Sequence, residues 1–164
     1  MTAIDAIQSA LTFTKKLLES FVADFTDADF LVRPVPGANH AAWQVGHVIA
    51  GEVYMIGSQL PHIKYPELPA GFNEAHDNKN TSADGPAGFL TKAEYLALFD
   101  KVRAVTMAAV AGLTETDLDR PTTGGPAAYA PTLGKLLLMA SDHTLMHVGQ
   151  FSVIRRKLGK PVVF

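Results

Sequence analysis

The chain has 164 residues, and its 14 Lys and Arg against 16 Asp and Glu leave a formal charge of −2. A balance so near zero offers no basic footprint for DNA or RNA, and only 18% of residues are charged, which suits self-association into a homodimer. Cysteine is absent, which excludes disulfides, cysteine metal ligands and a cysteine nucleophile, so any soft-metal chemistry falls to six histidines.

The length fits one domain over residues 1–164, with room for a hydrophobic core. Met1 to Asp5 lacks the basic start and apolar run of a signal peptide. No 18-residue stretch is free of polar groups, so no membrane span is expected, and a soluble cytoplasmic protein is the default.

The first predicted helix runs from about Ala3 to Phe25. Ile4, Ile7, Leu11, Leu18, Phe21, Val22 and Phe25 recur at helical spacing, with a gap at Thr14. Arg33-Pro34-Val35-Pro36-Gly37 cannot continue it. Asn39 is the expected N-cap of a second helix, about His40 to Gln59.

Residues 60–90 contain Pro61, Pro66, Pro69, Gly71, Gly85, Pro86 and Gly88, and Asn73 to Asp84 is almost wholly polar. So long a connection reads as a crossover between parallel helices or as a mobile surface loop. The third helix starts at a capping box, Thr91-Lys92-Ala93-Glu94, and ends near Gly112. The fourth starts after Thr132, its expected N-cap, and runs to about Leu158, where Gly159 and Pro161 stop it. Arg155, Arg156 and Lys157 suit the negative end of its dipole. No strand is expected, and Val162-Val163-Phe164 is too short to count as one.

A short motif occurs twice. Phe25-Thr26-Asp27-Ala28-Asp29-Phe30 precedes Arg33-Pro34, and Leu113-Thr114-Glu115-Thr116-Asp117-Leu118 precedes Arg120-Pro121. It reads either as two helical hairpins related by a pseudo-twofold or as ordinary helix punctuation.

His143 and His147, at i and i+4, share one face of the fourth helix and can grip one metal ion. They continue the apolar stripe Leu133, Leu136, Leu137, Ala140 towards Phe151, Ile154 and Leu158. His47 interrupts a second stripe, Trp43, Ala50, Tyr54 and Gly57, on the second helix. An unpaired buried polar group costs roughly 1–3 kcal/mol. Each imidazole could be a core histidine bonded to a carbonyl or hydroxyl, but one divalent cation would satisfy all three. Three neutral nitrogens with an open fourth position resemble a catalytic site more than a closed structural one.

His40, His62 and His76 read as ordinary exposed or partly exposed residues. Gln150 shares the face of His143 and His147, where it could orient a histidine or a ligand, or bond a neighbouring helix. Tyr54 could bring a hydroxyl near a metal or simply pack. Trp43 reads as packing, and Gly149 as a point of close helix approach. No Gly-rich phosphate loop or serine nucleophile elbow is present.

Asp142-His143-Thr144-Leu145-Met146-His147-Val148-Gly149-Gln150 resembles the His-x-x-x-His-x-Gly-Gln signature of the DinB-like superfamily. Trp43-Gln44-Val45-Gly46-His47, the long crossover and the closing Gly159-Lys160-Pro161 are similar to that family too. The resemblance implies an all-α four-helix bundle, up-down-down-up, often homodimeric. It also implies a divalent metal, nickel or zinc, on a histidine triad matching His47, His143 and His147.

The function expected from residues and resemblance together is metal-dependent chemistry on a small-molecule substrate. S-transfer from a low-molecular-weight thiol is preferred and hydrolysis second. Tyr54 is a candidate base, whereas Gln150 cannot be one. The alternatives are a non-catalytic small-molecule-binding or stress-response module with a structural metal, or a fold whose main role is dimerisation. Without cysteine, any reacting thiol must come from outside.

Overall fold

The structure, a computed structural model, describes residues 1–85 and 87–163. Pro86 and Phe164, named above in the crossover and the tail, lie outside the described residues. Among the described residues the chain is all-helical: α1 (Ala3–Val22), α2 (Asp27–Phe30), α3 (Ala41–Gly57), α4 (Phe72–Ala75), α5 (Lys92–Ala111) and α6 (Leu133–Lys157). One isolated antiparallel bridge, Pro121 to Thr132, is the nearest approach to a strand among those residues. No helix there is long and apolar enough to cross a membrane.

Capping chemistry sets where the elements begin. Thr2 with Asp5 and Thr91 with Glu94 close reciprocal capping boxes at the starts of α1 and α5. The duplicated motif does the same job twice. Thr26 with Asp29 opens α2, and Thr114 with Asp117 opens a 3-10 turn, Glu115–Asp119. Each copy therefore starts a short helical turn. α1 stops at Val22 rather than near Phe25, and Phe25 N–H bonds the Val22 carbonyl at 3.0 Å in the turn that leads to the extended Thr26.

Two other expected caps are corrected. His40, not Asn39, caps α3, its Nδ1 accepting from the Trp43 amide at 3.1 Å. Thr132 sits at the N-cap of α6, but its side chain makes no capping hydrogen bond.

The four long helices pair in a closed order: α1 packs on α5 and α6, and α3 packs on α5 and α6. α1 and α6 run the same way, since Thr14 meets Ser141 and the Phe21 carbonyl meets Arg155. α3 runs against α6, with Gln44 at His147. α5 runs against α1, with Lys92 bonding the Ala23 carbonyl and Arg103 the Leu11 carbonyl.

Two apolar clusters fill the interior. The larger gathers around Phe21, Phe25, Phe30, Tyr95, Phe99 and Phe151. The smaller, at the opposite end, joins Ile7 and Leu11 to Ile56, Val110, Leu133 and Leu137.

The described residues of the crossover between α3 and α5 include several that are tied down rather than loose. Leu60 and Phe72 are buried anchors. Its carbonyls take side-chain donors from the start of α3 and the turn before it: Trp43 Nε1 donates to Asn80 O, His40 Nε2 to Ala83 O, and Arg33 to Thr81 O.

Candidate metal centre

Opposed running of α3 and α6 brings His47 level with His143 and His147. One nitrogen from each imidazole lies within 4.8 Å of the others. His147 is buried, and His47 and His143 are half-buried at the end of a cavity. His147 Nε2 is 3.2 Å from His143 Nε2. Two nitrogens on one tetrahedral ion, each bonded at about 2.0–2.1 Å, stand about 3.3 Å apart.

Hydrogen bonds fix which nitrogens are bare. Gln44 Nε2 donates to the Asn39 carbonyl at 2.7 Å, so Gln44 Oε1 must face His147. His147 Nδ1–H donates to that oxygen at 3.0 Å. His47 Nδ1–H donates to the His76 carbonyl, also at 3.0 Å. In its neutral form each ring therefore carries the Nε2 lone pair on the side away from these partners. An outer oxygen on the far nitrogen is the usual support of a metal-binding imidazole. A His143–His147 hydrogen bond alone would leave His47 out, whereas one cation suits all three.

Electrostatics agree. Burial pushes His143 down to about 4 and His147 down to about 3, and neighbouring imidazoles add to both shifts. Each ring is therefore neutral, with a lone pair free, at neutral pH.

Two of the three remaining histidines depart from the exposed reading. His40 is buried as the α3 cap. His76 is buried as well: its Nδ1 donates to Phe72 O at 2.6 Å and its Nε2 accepts from the Tyr95 hydroxyl at 2.7 Å. The ring is thus locked, and its own carbonyl is aimed at His47. Only His62 stays exposed.

Trp43 does more than pack. It stacks on His47 with centroids 4.7 Å apart and planes 10° apart. Tyr54 is 62% exposed rather than core, and Gln150 is exposed; both line the cavity. The residue that orients His147 is Gln44, not Gln150. Gly149 meets no other part of the chain, so it serves no close approach within it.

Gly46 is the residue that permits the lock. A Cβ there would fall 2.0 Å from His76 Cδ2. Gly46→Ala should therefore displace the His76 ring and cost about 1–3 kcal/mol or more through overpacking. A thermal melt checks this, and an unchanged melting temperature would contradict the packing described.

A buried polar cluster beside this site was not foreseen. Glu52 and Arg103, each only 1% exposed, form an ion pair between α3 and α5, with Arg103 Nη2 at 2.8 Å from Glu52 Oε2. Arg103 also donates to Leu11 O, Thr14 Oγ1 and Thr144 Oγ1, so one guanidinium reaches all four long helices. A polar signal was present in the sequence: Phe99, Arg103, Thr106 and Val110 step by four, three and four along one face.

The sequence profile of the DinB superfamily matches residues 10–151. A solved structure described as a conserved protein of locus from Enterococcus faecalis superposes with a TM-score of 0.73 at 19% identity, covering 98% of this chain and 99% of that one. At that identity the likeness shows a shared fold alone. No curated protein matches the chain.

Proposed function

The chain belongs to the DinB superfamily, and from that premise we propose a metal-dependent enzyme whose divalent ion is held by His47, His143 and His147. The observation that carries this reading is the pair of locked rings, His47 and His147, with bare Nε2 atoms beside a third imidazole. Nitrogen donors of this kind suit nickel or zinc.

When bound, an ion with three neutral ligands and an open position supplies Lewis acidity, which lowers the pKa of a coordinated water or thiol. The chain's own groups do the rest. Gln44 and the His76 carbonyl fix the two rings, Trp43 covers one face of His47, and Tyr54 and Gln150 offer polar groups on the cavity wall.

The preferred reaction is S-transfer from a low-molecular-weight thiol to an electrophilic small molecule, with hydrolysis second. The exposure of Tyr54 and Gln150, neither set by burial, favours a second reading: a non-catalytic binding or stress-response module braced by its metal.

Metal analysis of protein prepared without chelator is the test. Wild type should carry about one ion per chain and His143→Ala far less; equally low metal in both would sink the proposal. Turnover of a thiol-plus-electrophile panel that disappears on chelation, with the fold intact, supports the enzyme. Unfolding on chelation with no turnover supports the bracing metal.

The helix pairings support one up-down-down-up four-helix bundle over residues 1–164, and we place it in the cytoplasm. We also propose a homodimer through α6. Leu138, Leu145 and Val153 are exposed along one face that includes the open Gly149. Light scattering should give twice the 17.6 kDa chain mass, and a monomeric mass at micromolar concentration would refute it.

A further inference from the structure

The cavity over the three imidazoles holds about 730 Å³, within the range of about 300–1,000 Å³ typical of small-molecule sites. Its walls beyond the histidines carry aromatic and thioether groups, Trp43, Tyr54, Met55, Tyr129, Met139 and Met146, beside the amides of Asn39, Asn78 and Gln150. Tyr129 is 77% exposed, and Tyr54 and Met146 are also open to solvent. Exposed apolar groups gathered at one mouth mark a ligand groove rather than a finished surface.

The two tyrosines share a wall. A Cβ on Gly125 would lie 2.9 Å from the Tyr54 hydroxyl. Gly125 begins the 3-10 turn Gly125–Ala128, whose C-cap is Tyr129.

Charge at this mouth is one-sided. Among the described lining residues Asp142 is the one carboxylate, and no Lys or Arg joins it. A carboxylate or phosphate on the substrate would lose hydration with no cationic side chain to replace it. An ammonium would find aromatic faces and a carboxylate instead. A bound ion would add positive charge at the histidines. Tyr54 lies seven residues along α3 from His47, about 10 Å of helix rise, where that charge is weaker but not screened out, so the preference is read first in metal-free protein.

We propose that the Tyr54–Tyr129 end of the cavity takes an apolar or aromatic substrate group that is cationic or uncharged, and rejects carboxylates and phosphates. This rests on the reading above only in taking the cavity as the substrate site. It also restricts any thiol used there to one without negative charge on the part remote from sulfur.

Three probes of similar body separate the charges: phenethyltrimethylammonium, 3-phenylpropanamide and 3-phenylpropionate. Each is titrated into metal-free and zinc-loaded protein by ligand-observed NMR, with the fluorescence of Trp43, the one tryptophan, as a second readout. In metal-free protein the ammonium should bind at least tenfold tighter than the carboxylate, with the amide between. Asp142→Asn should shrink the gap at least threefold with amide binding unchanged. Tyr129→Ala should weaken ammonium and amide at least fivefold.

Both substituted side chains are exposed, and matching circular dichroism melts establish that the variants fold. Carboxylate binding equal to or tighter than ammonium binding, no binding of any probe, or an unmoved Tyr129→Ala would overturn the proposal. The metal-free titration needs no ion, so failure to load zinc would sink the metal reading while leaving the charge preference readable.

Discussion

Removing one imidazole from the triad should weaken zinc or nickel binding by about a hundredfold or more, and removing its support should weaken it by about 10–100-fold. His143→Ala is the first case and Gln44→Ala the second, because Gln44 sets the ring of His147 without reaching the centre itself. Competition against a chelator of known affinity measures both. Equal affinity in His143→Ala and wild type would exclude the triad.

The same rings give a signed pH dependence. His143 and His76 are held down to about 4 and His147 to about 3, in each case mainly by burial. In the unfolded chain each returns to about 6.5. As pH falls the unfolded state therefore takes up protons first, and the folded state loses relative stability. Metal-free protein should hold a steady melting temperature above about pH 6.5 and lose it progressively towards pH 4 and below. A melting temperature that rose over that window would contradict the buried, neutral imidazoles.

The helices and the triad were legible because both rest on spacing. His143 and His147 are one turn apart on α6, and capping boxes such as Thr91 with Glu94 are local. The supports were not legible because their acceptors are brought from far along the chain: the Gln44 side chain meets His147 across 103 positions, and His47 takes a main-chain carbonyl. The His76 carbonyl reaches His47 across 29 positions, and carbonyl placement leaves no mark on side-chain pattern. The burial of His40 and His76 was hidden for the same reason: a crossover rich in proline and polar residues reads as surface, yet its carbonyls pin it to α3. Gly46 showed only as a motif residue. Its role needs the position of His76, which no periodicity supplies.

Breaking the Glu52–Arg103 pair from either side should be the most destabilising change in the protein, at about 3–5 kcal/mol, because the survivor is a buried charge without its partner. In a domain of this size that lowers the melting temperature by roughly 2–4 °C per kcal/mol. All five guanidinium N–H groups have acceptors within the fold: Glu52 with Nε and Nη2, Leu11 O and Thr14 with Nη1, and Thr144 with Nη2. Thr106 adds a hydroxyl donor to Glu52 Oε1 at 2.6 Å, and Tyr65 bonds Thr106 in turn.

Replacing both charges by apolar groups of similar volume is a different matter, since a buried pair often contributes little over a well-packed apolar substitute. The hydroxyls left behind keep partners of their own: Thr14 on Ala10 O at 3.0 Å, Thr144 on Ala140 O at 2.9 Å and Thr106 on Val102 O at 3.3 Å. Glu52→Leu with Arg103→Met should therefore recover most of what either single change loses. A double variant as unstable as either single would mean that the pair itself, not the stranded charge, holds the helices together, and one as unstable as the sum of its singles would mean that the two side chains act independently. Metal affinity supplies a second readout. Glu52 follows Gly51, whose Cβ position lies 3.3 Å from His143 Cε1, and Thr144 follows His143. If the pair also sets the register of α3 against α6, the double variant will regain stability while its ion binding stays weaker than that of the wild type.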